Sequence, residues 1–114
     1  MNYVINVLEQ LDKLENVDIY ILTLSRTLKI TEQKKEWLRK NVPFVKENNW
    51  IIITKEINEY SKENRDIVKA EKMNEKCNEY NKLILLDDDH KILKETQKML
   101  GDYGRVFHIS SILV

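Results

Sequence analysis

The chain has 114 residues, 42% apolar and 33% charged, and its 19 basic and 19 acidic side chains cancel to a net charge of zero. That length sets a single domain over 1–114 as the expectation and suffices to bury roughly two thirds of the unfolded surface. Charge balance removes the surplus of Lys and Arg on which nonspecific nucleic-acid binding depends, and the densest basic group, Lys34, Lys35, Arg39 and Lys40, reads as a solvated helix face.

Cys77 is the one cysteine, so a disulfide framework within the chain is excluded and a structural zinc site lacks its usual thiolates. A reducing, cytoplasmic setting follows as the expectation. Cys77 falls among helical apolar positions and reads as a small buried hydrophobe rather than a nucleophile. No apolar run has the length of a membrane span. Glu9, Asp12 and Lys13 break up any signal-peptide core at the amino end.

Val4, Val7, Leu8, Leu11 and Leu14 recur at helical spacing and predict a first helix over 2–15. Asp18 to Leu24 is short, β-rich and almost continuously apolar, the pattern of a strand buried on both faces of a parallel sheet. Ser25, Arg26 and Thr27 form the loop after it. Thr31 is placed to cap a second helix from Glu32 to Asn41, which Pro43 terminates. Trp50 to Thr54 reads as a second strand. A third helix follows with an inner face of Ile67, Ala70, Met73, Cys77 and Tyr80. Lys82 to Asp89 is an apolar strand that ends in three carboxylates. Asp89 caps a fourth helix whose inner face is Ile92, Leu93, Thr96, Met99 and Leu100. Gly101 and Gly104 turn the chain into a last strand, Arg105 to Ile109. Strict alternation of helix and strand predicts an α/β fold built on a mostly parallel sheet of about four strands with right-handed crossovers.

In open sheets of this kind ligands bind beyond the carboxyl ends of the strands. Thr23 and Ser25 stand at one such end, Asp87 and Asp88 at another. Carboxylates are hard oxygen ligands suited to Mg²⁺. Helix capping explains Asp89 well and Asp88 less well, and leaves Asp87 at the end of an apolar strand unexplained. A hydroxyl at Thr23 and an ammonium at Lys69 suit phosphate oxygens, with Lys62 and Lys72 as competitors for the second role. The plainer readings are an ordinary strand threonine and solvated lysines. For His90 and His108 they are a first-turn helix residue and a packed strand residue, and for Trp37 and Trp50 core packing.

Taken together, Tyr20-Ile-Leu-Thr23, Lys69 and Leu-Leu-Asp87-Asp88 resemble the second, third and fourth motifs of haloacid dehalogenase-type (HAD-type) phosphohydrolases. The closest branch is the 5′(3′)-deoxyribonucleotidase-like one. The resemblance implies a three-layer core with helices on both sheet faces and Mg²⁺-dependent phosphate chemistry on a phosphorylated small molecule such as a nucleotide. It implies phosphate binding by Thr23, Ser25 and Lys69, and metal binding by Asp87 and Asp88. The family's first motif, Asp-x-Asp-x-Thr on a central strand, has no counterpart here, and covalent catalysis has no substitute for a nucleophile. An enzyme-family domain without turnover of its own is therefore expected, completed by a homo-oligomer or another chain. Alternatives are a noncatalytic binding or regulatory module and an oligomerising one. Leu83 to Leu93, with Gly104 beyond, also resembles the opening of a response-regulator receiver, but only if the chain is circularly permuted, and Thr23 would then stand where the phosphoacceptor Asp belongs.

Overall fold

The structure is a computed structural model and describes residues 2–108. It contains four α-helices and four strands among those residues, in the order α1 (Asn2–Asp12), β1 (Ile21–Ser25), α2 (Leu28–Asn41), β2 (Trp50–Thr54), α3 (Val68–Asn74), β3 (Leu83–Asp87), α4 (His90–Leu100) and β4 (Gly104–His108). The chain divides into two compact units, Met1–Tyr60 and Ser61–Val114. Both strand pairings are parallel, β1 with β2 and β3 with β4. The α/β class and the parallel pairing agree with the sequence pattern. The expected continuous sheet of four strands is not what forms: the described strands make two sheets of two.

The first unit packs α2 onto β1 and β2. Its core centres on Leu38, Val42 and Val45, against which Ile5, Ile21, Trp50 and Ile52 pack. Helix α2 starts one turn earlier than capping by Thr31 would place it. Thr27 is the cap, with its side-chain oxygen accepting the Ile30 N–H at 3.1 Å. Thr31 lies inside the helix, buried, and its hydroxyl meets that of Thr54 on β2 at 2.8 Å. The tertiary contact of Thr31 to β2 occupies its hydroxyl inside the helix. Helix α1 ends at Asp12, so Leu14 lies beyond it and is exposed.

In the second unit α3 packs on α4, and α4 on β3 and β4. Alternate residues of a strand face opposite sides. Leu85 is accordingly buried, while Ile84 on the other face of β3 is 65% exposed and Phe107 of β4 is 45% exposed. Helix α4 is capped by Asp89 as the sequence predicts, and Ile92, Leu93, Thr96 and Leu100 form its buried stripe. Met99 departs from that stripe and is exposed. Helix α3 is two turns long and ends at Asn74, so Cys77 and Tyr80 fall in the turns beyond it and are only half-buried. Gly104 opens β4 against α4. A Cβ there would stand 2.5 Å from Leu100 Cδ1 and 2.9 Å from Leu100 Cβ, so glycine is required by close approach. Ile109, the expected last residue of this strand, lies outside the described residues.

Candidate functional site

The apolar run Leu83–Leu86 carries Asp87 to the carboxyl end of β3, where its carboxylate is buried. A charge in that position needs a partner. Asp87 has Lys69, from the first turn of α3, whose Nζ lies 2.5 Å from Oδ2. The two side chains are 6% and 10% exposed. The other oxygen, Oδ1, accepts the backbone N–H of Asp89 at 3.0 Å and so fixes the turn from β3 into α4. Of Lys62, Lys69 and Lys72, Lys69 is the one joined to Asp87.

Asp89 then closes the helix end. Its Oδ1 accepts from the N–H groups of Lys91 and Ile92 at 2.9 and 3.2 Å, and its Oδ2 accepts from the Arg65 guanidinium at 3.0 Å. Partial burial pushes the Asp89 carboxyl up, but the Ile92 N–H, Arg65 and the Lys91 N–H outweigh this and hold it below the ordinary carboxylate range. Arg65 is raised in turn, chiefly by its hydrogen bond to Asp89.

Asp88, between these two committed acids, is exposed. It lines an open concavity of about 730 Å³ together with Lys62, Arg65, His90 and Lys91. The His90 and His108 rings stack at 4.5 Å, and His108 Nε2 lies 3.2 Å from the Asp88 carbonyl oxygen. These histidines are 18 positions apart, and the β3–β4 register, which sets Asp87 opposite His108, brings them together. No local spacing announces that pairing. Nor does any local pattern announce Arg65, which comes from the segment before α3.

Among the described residues no group of three or more His, Cys, Asp or Glu side chains is placed to hold a metal ion. Mg²⁺ takes as few as one or two protein carboxylates and retains several waters. Asp88 can serve as one such ligand. Asp87 has one oxygen on Lys69 and the other on the Asp89 N–H, so it is available to a metal only if those bonds rearrange.

Thr23 and Ser25 belong to the first unit, on β1. The half-buried Thr23 hydroxyl accepts from Lys34 Nζ at 2.8 Å, and the same ammonium donates to the Leu24 carbonyl. Sequence reading placed Lys34 on a solvated face. In the structure it instead reaches back from α2 to β1, giving Thr23 an ammonium neighbour. Ser25 is 2% exposed and donates its proton to the Thr27 carbonyl at 2.8 Å, which leaves it no proton for a phosphate in this conformation.

Compared with known proteins, the chain matches no family model, no curated protein and no solved structure. No helix among the described residues is long and apolar enough to cross a membrane.

Proposed function

We propose that this chain is a HAD-like phosphate-binding domain that engages a phosphorylated small molecule of the nucleotide class in the presence of Mg²⁺, without turnover of its own. The observation that carries the reading is the 2.5 Å pair between Lys69 and Asp87. It joins the two residues that the resemblance assigns to the third and fourth motifs, 18 positions apart in the sequence. Asp88 stands beside them with an exposed carboxylate suited to a hard cation. On β1, the hydroxyl of Thr23 with the ammonium of Lys34 supplies the donor chemistry that a phosphate oxygen takes. Bound Mg²⁺ would neutralise phosphate charge, with Asp88 as one ligand. Lys69 holds Asp87 in place, and the Asp89 N–H orients it. Asp87 and Asp89 are committed to Lys69, Arg65 and backbone N–H groups, and Asp88 is assigned to the metal, so none of the three is given the role of the family's nucleophile.

The test is titration of the full chain with a deoxynucleoside monophosphate, with and without Mg²⁺, read by ³¹P NMR and calorimetry. Mg²⁺-dependent binding without phosphate release is expected, weakened at least tenfold, about 1.4 kcal/mol, by Asp88→Asn. The reading fails if millimolar nucleotide does not bind, or binds equally well to the folded variant. Phosphate release that disappears with Asp88→Asn would instead mark a complete enzyme. The burial of both Lys69 and Asp87 favours a second reading, in which the pair only ties α3 to β3. Under it, nucleotide binding is absent while the stability effects given in the Discussion persist.

A further inference from the structure

The concavity at the start of α4 holds more charge than its own contacts use. Its lining comes entirely from the second unit, from the segment before α3 and from residues 88–91. Arg65 is shared between Asp66 at 3.2 Å and Asp89 at 3.0 Å, and Asp89 also accepts from the N–H groups of Lys91 and Ile92. Apart from His90, which stacks on His108, the groups left are Lys62, Lys91 and Asp88. All three are exposed, and none of their side chains has a hydrogen bond or ion pair among the described residues. Lys91 stands in the first turn of α4, where an ammonium faces the positive end of the helix dipole. Lys69, the lysine that the resemblance assigns to phosphate, is buried against Asp87 and is not part of the lining.

A cation by itself would answer Asp88 and repel the lysines, and an anion by itself would do the reverse. A phosphate group carrying a divalent cation answers all three at once, with metal on the carboxylate and oxygens on the ammoniums. It also relieves the mismatch of Lys91 with its helix dipole. We propose that Lys62 and Lys91 hold the phosphate group of the bound molecule in this concavity, beside the Mg²⁺ that Asp88 ligates. The group recognised is a terminal phosphomonoester, which is close to a dianion at neutral pH and so matches a pair of ammoniums. Lysine suits the task, because a compact charge on a flexible stem adapts to a phosphate that the metal has already oriented. The inference rests on the phosphate reading and deepens it by giving the phosphate its own contacts in the second unit.

The experiment follows the binding of inorganic phosphate and of a deoxynucleoside monophosphate to the full chain with Mg²⁺, by ³¹P NMR and calorimetry. Lys62→Gln and Lys91→Gln should each weaken both ligands by at least about threefold, and the double variant by at least about tenfold, since each lost contact is a hydrogen bond between charged groups. Lys62→Arg/Lys91→Arg keeps the charges and should bind within about threefold of the parent chain. Lys82→Gln removes the same charge at the opposite end of β3 and should change binding by less than about twofold at physiological salt. All of these side chains are exposed, and ¹H–¹⁵N spectra verify that the variants fold. Nucleotide that binds the double Gln variant as tightly as the parent chain overturns the inference and leaves the phosphate reading standing. A loss in Lys82→Gln equal to that in either single variant also overturns it, because net charge alone would then account for the effect. Inorganic phosphate that binds through the two lysines while nucleotide does not bind upholds the inference and sinks the nucleotide reading. Failure of both ligands to bind at millimolar concentration overturns both.

Discussion

At the scale of single residues, the Lys69–Asp87 pair is the most consequential contact in the second unit. Two opposite charges buried together gain little net stability over a well-packed apolar pair, whereas one of them alone is costly. Asp87→Asn should therefore lower the unfolding free energy by about 3 kcal/mol, and Lys69→Met/Asp87→Leu should recover most of that loss. Urea denaturation of the three proteins measures this directly. A double variant as unstable as the single one would mean that the charges contribute more than mutual neutralisation. Thr96 presents the opposite case. It is fully buried in α4, and its hydroxyl has no hydrogen-bond partner among the described residues. An orphaned buried hydroxyl costs about 1–3 kcal/mol, and valine has the same shape without it. Thr96→Val should raise stability by about 1 kcal/mol, seen as a higher urea midpoint at unchanged slope. A lower midpoint would show that the hydroxyl is satisfied in solution.

At the scale of elements, α4 is held by its two ends. Asp89 at the amino end accepts from two backbone N–H groups and from Arg65, which together hold its carboxyl below the ordinary range against the opposing effect of burial. Because the folded-state value is depressed, the stabilisation is complete above the unfolded carboxyl value of about 4 and fades as pH falls through the folded one. Asp89→Asn keeps a good capping side chain but loses the charge. The stability difference between the parent chain and this variant should be largest near pH 7 and shrink below pH 4, and denaturation at the two pH values tests the sign. A difference that grows in acid would rule the mechanism out. At the carboxyl end, Gly104 lies against Leu100. Gly104→Ala drives a methyl into that contact, and a loss of about 1–3 kcal/mol is expected from overpacking, measurable by thermal or urea unfolding. The start of α2 carries a related lesson. Thr31 is the cap expected from the sequence, but its hydroxyl meets Thr54 on β2 inside the helix, and Thr27 is the cap. The third helix is shorter than its apolar period predicts. Apolar residues at Cys77 and Tyr80 continue the helical period, but the backbone turns after Asn74 and leaves both half-buried.

At the scale of the whole molecule, periodicity alone revealed the alternation of helix and strand, the apolar strands with polar tips, the Asp89 cap and the buried stripe of α4. These are local features, written in spacings of two and of three to four residues, and they need no knowledge of what lies across the fold. The grouping of the strands into two parallel pairs was not legible, because every strand here is apolar enough to sit at several positions in a sheet and pairing partners lie more than twenty residues apart. The candidate site divides in the same way. Asp87 and Asp88 stood out as acids at the end of an apolar strand. The choice of Lys69 over its neighbours, the Lys34–Thr23 bond, the role of Arg65 and the stacked histidines came only with tertiary packing, since a long cationic side chain can reach many places and its sequence position does not say which carboxylate or hydroxyl it meets.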